Sequence, residues 1–513
     1  MITLVSPNQV AQRNDFFTTG IPYMPVSLAY FAAYLRERGY DIQVIDAFAE
    51  EPNHCWIEDD FLVRGLTPAQ VSARINSRSN VIVVYAINLT YHRSLVSITR
   101  ECKRRHPGIS IIVMENTQAV TAYSLRRVQE ELFNSGVDYI LTGEAEERGG
   151  RLIEAILQKR EPDGIDGVGY LKMDQPQYEA PGQFVGDLDA LPFPAWDLFP
   201  VNKYWSLGHA HGPLETGKYL PLLTSRGCPY PCRFCVIPET NQLKWRGRSA
   251  KNVVDEIELY SKQFGVREFH IEDVNPTVND RRTREICKEI IDRKVEVIWK
   301  VAAGTKVESL RDETTIELMA RAGCRYISIS PESGSPRVLK LINKPFKLDH
   351  ALKLIKTMNR VGIYSQACFV LGFPGEEEED RQLTWYLVRD LVQAGLDEVA
   401  IFIITPVPGS DIYQEFSGYT DHSQLNFSPS WRNDYAALNA FRLRLYLYFL
   451  LWKARYQPFK MGSHALNFFR ASFKTKMEMA PYRAAKLKVL EIKTMICSLL
   501  PRRNPAVNLM GEA

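Results

Sequence analysis

The stretch that decides the fold is TSRGCPYPCRFCVIP, which runs from Thr224 to Pro238 and holds three of the nine cysteines. Cys228, Cys232 and Cys235 follow the spacing Cys-x3-Cys-x2-Cys, directly after an apolar segment that is typical of a strand. Thiolates are ligands for soft metals and iron–sulfur clusters. Three thiolates would leave one iron of a four-iron cluster open, as catalytic metal sites leave a position for substrate.

Two other interpretations of the three cysteines are considered. A zinc site would need a fourth ligand such as His209 or His211, but these lie seventeen or more residues before Cys228 and lack the paired spacing of zinc ligands. Unligated core cysteines fit poorly in a loop rich in Gly and Pro. The remaining six cysteines are scattered singly, which predicts no disulfide framework and a reducing, cytoplasmic setting.

The residues around this loop repeat a strand–helix pattern. Apolar strand candidates recur from Tyr219 to Ile404, with helical patterns between them, which makes six repeats in about 200 residues. A complete eight-fold barrel needs about 250 residues, so the pattern predicts a partial (β/α)6 barrel of the TIM type over residues 216–420. Its chemistry is expected at the carboxyl ends of the strands.

The first 150 residues alternate five apolar strands with helices, which predicts a doubly wound domain of the flavodoxin or Rossmann class. A flavodoxin-like strand order would place a ligand near residues 6–8, 88–90 and 115–117. The absence of G-x-G-x-x-G argues against a dinucleotide. Residues 151–215, which include the Pro-rich LDALPFPAWDLFP, are predicted to be a linker.

The motif CPYPCRFC, with Phe234 before its last cysteine, resembles the signature of the radical S-adenosylmethionine (radical SAM) superfamily. The longer TSRGCPYPCRFC resembles the branch that carries an N-terminal cobalamin-binding domain. The resemblance implies that the three thiolates hold a [4Fe-4S] cluster whose open iron is chelated by SAM. Reductive cleavage would then give a 5′-deoxyadenosyl radical, with electrons from a partner such as flavodoxin or ferredoxin.

Later segments are similar to the family's strand-end motifs in the right order, and they imply contacts to SAM. The implied SAM-binding residues are Phe234, Glu272, Asp273, Lys306, Glu332, Ser333, Gly372 and Gly375. Relatives often carry arginine at the position of Lys306. Asp273 has the alternative role of capping the next helix. The acidic run from Glu377 to Asp380 is interpreted as favouring a helix N-terminus.

The resemblance also implies a cobalamin site on the N-terminal domain. The implied contacts are Asn88, Thr117, Gly143 and Glu144. The sequence departs from the family in two places. It lacks Asp-x-His-x-x-Gly, so no lower axial histidine is present, and MENTQAV from Met114 replaces an expected Gly-Gly. Side chains there would narrow the slot for the cofactor's tail, so a fold kept for packing or partner binding is the alternative.

The C-terminal region, residues 421–513, is helical in pattern, aromatic and basic. Residues 431–503 contain 15 Lys/Arg and 3 Asp/Glu, so this stretch carries about twelve of the positive charges behind the net +3. Its apolar core, residues 445–452, is shorter than the ~20 residues of a spanning helix. It predicts an interfacial helix at the inner membrane face, with a helical cap on the barrel as the alternative. Nucleic acid is disfavoured because no RNA-binding module is recognisable.

The predicted function is therefore radical SAM chemistry, with cobalamin-dependent methylation of an unactivated carbon in a small hydrophobic substrate such as a lipid, polyprenoid or tetrapyrrole. One alternative keeps the radical chemistry without methylcobalamin, as a cyclisation, rearrangement or C–C bond formation. The other is a non-catalytic metal-binding scaffold at the membrane.

Overall fold

The computed structural model describes residues 1–13, 15 and 19–499. The last two basic residues of the predicted tail, Arg502 and Arg503, lie outside the described residues.

The N-terminal part is built on a seven-stranded sheet in the order β10-β9-β8-β7-β6-β1-β3. The five strands from β8 to β3 in this order are parallel, and this is the predicted flavodoxin-like order. The strands of this region are β1 (Ile2–Ser6), β2 (Gln9–Gln12), β3 (Ile42–Asp46), β4 (Cys55–Glu58), β5 (Phe61–Arg64), β6 (Val81–Ala86), β7 (Ser110–Glu115), β8 (Tyr139–Leu141), β9 (Val168–Lys172) and β10 (Gln175–Tyr178).

A hairpin and a separate three-stranded sheet extend the predicted five strands. β9 and β10 form an antiparallel hairpin that joins the edge of the sheet at β8, within the predicted linker. β2, β4 and β5 form a separate antiparallel sheet. Neither the hairpin nor the three-stranded sheet contains a long apolar run. β10 is mostly exposed, and β4 is only half-buried. The apolar parallel strands of this region were therefore easier to predict from the sequence than the hairpin or the three-stranded sheet.

Helices cover both faces of the parallel sheet. α1 packs beside α6, while α3 packs beside α4. A capping box at Thr67 precedes α3. The Thr67 side chain accepts a hydrogen bond from the Gln70 backbone N–H, and the Gln70 side chain accepts one from the Thr67 backbone N–H. The helices are α1 (Val26–Glu37), α2 (Ala47–Glu50), α3 (Pro68–Arg74), α4 (His92–Arg105), α5 (Gln129–Asn134), α6 (Ala145–Leu157) and α7 (Val201–Ser206).

The second domain is an open, all-parallel sheet in the order β11-β14-β15-β16-β17-β18, which is the predicted partial barrel of six strands. A short antiparallel pair, β12 with β13, flanks its first strand. The strands are β11 (Leu220–Leu222), β12 (Ser225–Arg226), β13 (Arg246–Gly247), β14 (Glu268–Ile271), β15 (Ile298–Thr305), β16 (Cys324–Glu332), β17 (Tyr364–Leu371) and β18 (Glu398–Ile403).

The barrel helices begin and end at the residues that local chemistry favours. Ser249 caps α9, and Gly265 ends it in a left-handed conformation with φ +65°. Glu377 and Asp380 form a capping box at the start of α14, as the acidic run predicted. The helices are α8 (Ile237–Asn241), α9 (Ala250–Phe264), α10 (Asp280–Asp292), α11 (Glu313–Arg321), α12 (Pro336–Leu341), α13 (Leu348–Val361) and α14 (Glu378–Ala394).

Up to residue 499, where the description of the chain ends, three α-helices follow the barrel: α15 (Tyr435–Tyr456), α16 (Pro458–Arg470) and α17 (Lys476–Leu499). α15 packs on α14 and β18, while α17 reaches β4 of the N-terminal region. Part of the basic surplus is used internally, since Lys453 is buried and donates to the Asp397 carbonyl, and Lys460 pairs with the Asp397 carboxylate at 2.7 Å. None of the helices in the described ranges is long and apolar enough to cross a membrane.

Candidate functional site

The three predicted cluster cysteines lie on the loop between β12 and α8, beyond the carboxyl end of the first barrel strand. Gly227 opens this loop at φ +79°, and a Cβ there would lie 2.1 Å from the Lys244 carbonyl oxygen, so only glycine permits the close approach. The backbone N–H of Cys235 donates to the Cys232 carbonyl at 3.1 Å. The three thiols therefore lie at the carboxyl end of the barrel strands, where barrel enzymes place their reactive groups.

The arrangement of the three sulfurs and the nearby histidines argues against a single zinc ion. Zinc–sulfur bonds of about 2.3 Å would bring tetrahedral sulfur ligands to within about 4 Å of one another. Within the described part of the chain, the Sγ atoms of Cys228, Cys232 and Cys235 do not all lie within 4.8 Å of one another. His209 and His211 bond elsewhere, His209 Nδ1 to the Leu207 carbonyl and His211 to Glu272. Within the described residues, the three sulfurs and these two histidines therefore do not form a four-ligand zinc site.

Burial shapes the chemistry of the thiols. It raises the pKa of Cys228 and Cys235, and it raises that of Cys232 to about 11. The Lys344 ammonium opposes this rise at all three thiols. Asn275 also points its Nδ2 at the Cys228 sulfur, at 3.8 Å. Metal ligation needs thiolates, so Lys344 and Asn275 favour the form that binds iron.

Lys344 and Glu332 form a buried ion pair beside this loop, with Nζ and Oε1 2.5 Å apart. Burial lowers the pKa of Lys344, but the Glu332 carboxylate together with Cys232 and Cys228 raises the pKa overall. Glu332 ends β16 with φ +64°, a conformation that is uncommon for a residue other than glycine. The next predicted residue, Ser333, points at Thr384 of α14, with 3.2 Å between hydroxyls. Lys344 itself was not predicted, although it lies only twelve residues after the predicted Glu332.

The predicted carboxylates after β14 face different ways. Glu272 lies 2.7 Å from His211 Nδ1, and His211 lines the cavity between the barrel and the N-terminal domain. Asp273 is fully buried and accepts from Thr224 N–H, the Thr224 hydroxyl and the Ser225 hydroxyl. It therefore braces the strand that leads into the cysteine loop. Asn279, and not Asp273, caps the following helix, so the capping alternative for Asp273 was wrong.

The other predicted SAM residues surround the loop from the later strands. Lys306 pairs with Glu308 at 2.6 Å and lies over the Tyr230 ring. Phe234 packs against Phe373, with ring centroids 5.5 Å apart. Gly372 and Gly375 take φ +80° and +79° in the turn after β17, which only glycine adopts freely.

A cavity of about 720 Å³ opens between the barrel mouth, the N-terminal sheet and α17. Its wall is mostly apolar, and its volume falls in the range of small-molecule and cofactor sites. Residues from all three regions line it, among them Phe234, Cys235, Glu332, Cys368, Asn88, Val120, Lys476 and Ala484. Cys368 and Lys476 were not predicted as site residues, because they reach this cavity only through strand and helix packing.

Two buried polar atoms in the cavity wall lack a hydrogen-bond partner within the described residues, Gln12 Oε1 and Thr405 Oγ1. They come from opposite sides, since Gln12 ends β2 and Thr405 follows β18. Such atoms cost free energy unless a ligand or water satisfies them. Within the described residues, the cavity therefore presents polar atoms from both domains that a bound ligand or an ordered water would satisfy.

The four residues predicted to contact cobalamin follow the carboxyl ends of the neighbouring strands β6, β7 and β8, but they do not all line the cavity. Asn88 lines the cavity and caps the short turn that follows it. Thr117 is buried and holds Asn241 of α8 through its carbonyl, while Gly143 N–H donates to Glu115 at 2.8 Å. Glu144 is paired with Arg246 at 2.6 Å. Only Asn88 of the four therefore faces the shared space.

Comparison with known families gives one domain match. Residues 222–384 match the Radical SAM superfamily. An uncharacterized methyltransferase of Pyrococcus horikoshii is 25% identical over 84% of this chain and 85% of its own length. The anaerobic magnesium-protoporphyrin IX monomethyl ester cyclase of Rubrivivax gelatinosus is 28% identical over 79% of this chain and 68% of its own length.

A solved structure has the same architecture. The radical S-adenosylmethionine methyltransferase TsrM of Kitasatospora setae, with cobalamin and a [4Fe-4S] cluster bound, superposes with a TM-score of 0.62 and 19% identity. The match covers 81% of this chain and 77% of TsrM. The fold therefore extends across both domains, beyond the matched barrel segment.

Proposed function

We propose that this chain, a radical SAM enzyme with an N-terminal domain of the cobalamin-binding type, methylates an unactivated carbon of a small hydrophobic molecule. The observation that carries the proposal is the largely apolar cavity, which touches Cys235 of the cluster loop on one side and Asn88 of the N-terminal sheet on the other. A substrate there would meet both cofactors at once. The predicted family, fold class and enzyme class are confirmed.

When bound, the cluster and SAM supply a 5′-deoxyadenosyl radical that abstracts a hydrogen atom, and methylcobalamin supplies the methyl group. The chain's own residues do the rest. Cys228, Cys232 and Cys235 hold the iron, and Lys344 neutralises the negative charge that gathers beside them. Glu332 and Glu272 offer carboxylates for the SAM ammonium, a charge-assisted contact that strengthens where water is excluded. Phe234 and the apolar wall keep water away from the radical.

The substrate class rests on the lining of the cavity. Val370, Phe402, Ile404 and Val407 of the barrel face α17 residues such as Ala480 and Ala484 across it. Lys476, Arg483 and Lys488 of α17 line the cavity, as do the acidic residues Asp15, Glu332 and Glu398. We infer a molecule that is largely apolar, which agrees with a lipid, polyprenoid or tetrapyrrole.

The alternative reaction is cyclisation or another C–C bond formation without methylcobalamin. Two observations favour it: the cyclase among the relatives and the filled slot at the fourth strand. Glu115, Asn116 and Gln118 are buried there, and the Asn116 amide donates to the Ile87 carbonyl at 2.8 Å. These side chains occupy the space that a Gly-Gly pair would leave open.

The experiment is anaerobic reconstitution with iron, sulfide, cobalamin, SAM and dithionite, followed by analysis of nucleosides and of retained cobalamin. We expect 5′-deoxyadenosine and about one cobalamin per chain. Deoxyadenosine without cobalamin retention would support the alternative reaction and contradict methylation. No deoxyadenosine from protein with a full cluster would leave only the non-catalytic scaffold.

A matched pair of cysteine variants tests the cluster assignment. Cys232→Ala is expected to lose the four-iron complement and SAM cleavage, because a cluster with two protein thiolates is not retained. Cys287→Ala removes a buried thiol on α10, away from the loop, and is expected to keep both. Full iron content and SAM cleavage in Cys232→Ala would contradict the assignment.

We also propose that the outer face of α15 and α16 rests on an anionic membrane, where a hydrophobic substrate would be collected. Phe459 and Phe469 are 93% and 85% exposed, and the exposed Arg444, Arg455 and Arg470 lie on the same two helices. Exposed aromatic residues beside cations suit the headgroup region of a bilayer.

Flotation with vesicles containing anionic lipid tests this face. Replacing Phe459 and Phe469 with serine is expected to reduce the vesicle-bound fraction severalfold, because the apolar anchor is lost. Leu259→Ser, at a 43% exposed position on the barrel helix α9, is the control and should bind like the unaltered protein. Equal binding of all three proteins would remove the membrane proposal without affecting the methylation proposal.

A further inference from the structure

Three side chains far apart in the sequence meet outside the cofactor cavity. His92 begins α4, Glu131 lies on α5, and His422 lies in the turn between β18 and α15. Glu131 Oε2 is 3.1 Å from His92 Nε2 and 2.9 Å from His422 Nδ1. Across the described part of the chain, this is the one group of three potential ligands whose atoms all lie within 4.8 Å of one another.

We propose that His92, Glu131 and His422 form a binding site for a divalent transition-metal ion, best suited to zinc, that joins the N-terminal domain to the segment after the barrel. Two imidazole nitrogens and one carboxylate oxygen are a common ligand set for zinc, with water in the fourth position. This site is separate from the cluster and from SAM, and it does not depend on the proposed methylation.

The distances need little adjustment to hold an ion. Zinc bonds of about 2.0–2.1 Å in tetrahedral geometry separate their ligand atoms by about 3.3 Å. The two observed separations from Glu131 Oε2, 3.1 and 2.9 Å, would therefore widen by only a few tenths of an ångström. The His92 and His422 rings already lie 5.0 Å apart between centroids, at 71° to each other, so they approach the carboxylate from different directions.

The outer bonds of both histidines are in place. His92 Nδ1 is 2.9 Å from the Tyr123 hydroxyl, so a proton on Nδ1 can donate to that oxygen and leave Nε2 free for the metal. His422 Nε2 is 3.4 Å from the Tyr413 hydroxyl, which also accepts from Tyr419. Such partners orient ligating histidines and typically contribute 10- to 100-fold to metal affinity, as a rough guide.

One side of the site is buried, and the other is open to solvent. The His92 side chain is 1% exposed, whereas Glu131 is 46% and His422 19% exposed, so an ion can enter from solvent past the carboxylate. Its position also has a structural consequence. Tyr91 and Ser423, the sequence neighbours of the two histidines, both line the cofactor cavity. An ion here would fix the cavity wall where the two segments meet.

The test uses the full chain with its cluster already reconstituted, so that the three thiols are occupied and do not compete for zinc. Zinc is then titrated calorimetrically, and the zinc-loaded protein is measured by X-ray absorption at the zinc edge. We expect one zinc ion per chain, with nitrogen and oxygen neighbours at about 2.0–2.1 Å and no sulfur at about 2.3 Å. Zinc should also raise the thermal midpoint.

Variants locate the ion. His422→Ala is expected to weaken zinc binding at least tenfold and to abolish the zinc-dependent rise of the midpoint. Tyr123→Phe, which keeps all three ligands, is expected to weaken it about tenfold through the lost hydroxyl. Glu130→Gln, at the exposed neighbour of Glu131, is the control and should bind as the unaltered chain does. Absence of a zinc ion, sulfur neighbours at the zinc edge, or equal affinity in His422→Ala would each overturn the proposal.

Discussion

Glu115 shows how one side chain changes a site that the rest of the fold prepares. Its carboxylate accepts from Leu125 N–H at 3.0 Å and from Gly143 N–H at 2.8 Å, and so joins the loops that follow β7 and β8. The sequence analysis identified MENTQAV, from Met114, as a departure from the family. It did not predict that Glu115 in this segment links the loops after β7 and β8. That bond depends on the folded backbone of Gly143.

Stability should depend on pH through Glu115. Burial raises the pKa of this carboxyl from 4.5 to about 7, so the folded chain keeps a proton that the unfolded chain releases between these values. Its contribution is therefore present below about pH 4.5 and lost as pH rises to about 7, by up to about 3 kcal/mol.

Glu115→Gln, which cannot ionise, tests this effect. Between pH 5 and pH 7.5 the thermal midpoint of the unaltered chain should fall by several degrees relative to that of the variant. Glu154→Gln, at an exposed position on α6, should track the unaltered chain at both pH values. Parallel midpoints for Glu115→Gln and the unaltered chain would show that the buried carboxyl is not responsible.

At the scale of elements, the turn after β17 ties the barrel to the C-terminal helices. Gly372 N–H donates to Glu376 at 2.6 Å, and the Gly372 carbonyl accepts from Arg432 at 3.0 Å. A Cβ on Gly372 would lie 2.5 Å from Leu438 Cδ1 of α15, whereas one on Gly375 would reach only ordinary contact, 3.4 Å from Leu341.

Gly372→Ala and Gly375→Ala therefore form a matched pair. Both pay about 1–2 kcal/mol for a left-handed alanine. Gly372→Ala should lose about 1–3 kcal/mol more, because Leu438 is buried and has little room to move. Thermal unfolding checks the order, and equal losses would mean that α15 yields at this contact.

Some of the strands could be predicted from the sequence, and others could not. The parallel strands of both sheets were predicted because each is a largely apolar segment between helical patterns. The hairpin of β9 and β10 and the sheet of β2, β4 and β5 were not, because their side chains are mixed and partly exposed. The three cysteines were found from local spacing alone. Lys344, Cys368 and the His92–Glu131–His422 group depend on packing between distant segments, which no local pattern reveals.

On the scale of the whole molecule, buried ion pairs hold the two domains together. Arg226 pairs with Glu146 at 2.7 Å, and Arg246 pairs with Glu144 at 2.6 Å. Burial raises the pKa of Glu144, but Arg226 and Arg246 more than offset that and lower it overall. The glutamates belong to the start of α6, and the arginines flank the cysteine loop as parts of β12 and β13. The N-terminal domain therefore braces the strands that present the cluster ligands.

Arg246→Met should destabilise the chain by a few kcal/mol, because it leaves the buried Glu144 carboxylate with weaker compensation. Arg36→Met is the control, since the Arg36–Asp197 pair also joins the N-terminal domain to a later segment but is 47% and 43% exposed. Exposed pairs contribute about 0–1 kcal/mol. A drop in thermal midpoint for Arg246→Met alone is expected, and equal midpoints for both variants would contradict the bracing role.

The position of α17 also has a consequence for the order of assembly. This helix supplies one side of the cavity through Ala480, Ala484 and their neighbours, and it packs Leu487 against Gly20 near the start of the chain. A protein leaves the ribosome from its N-terminus, and its domains fold in that order. The sheet and the barrel can thus form while this side is still open, so bulky cofactors can be loaded before α17 closes it.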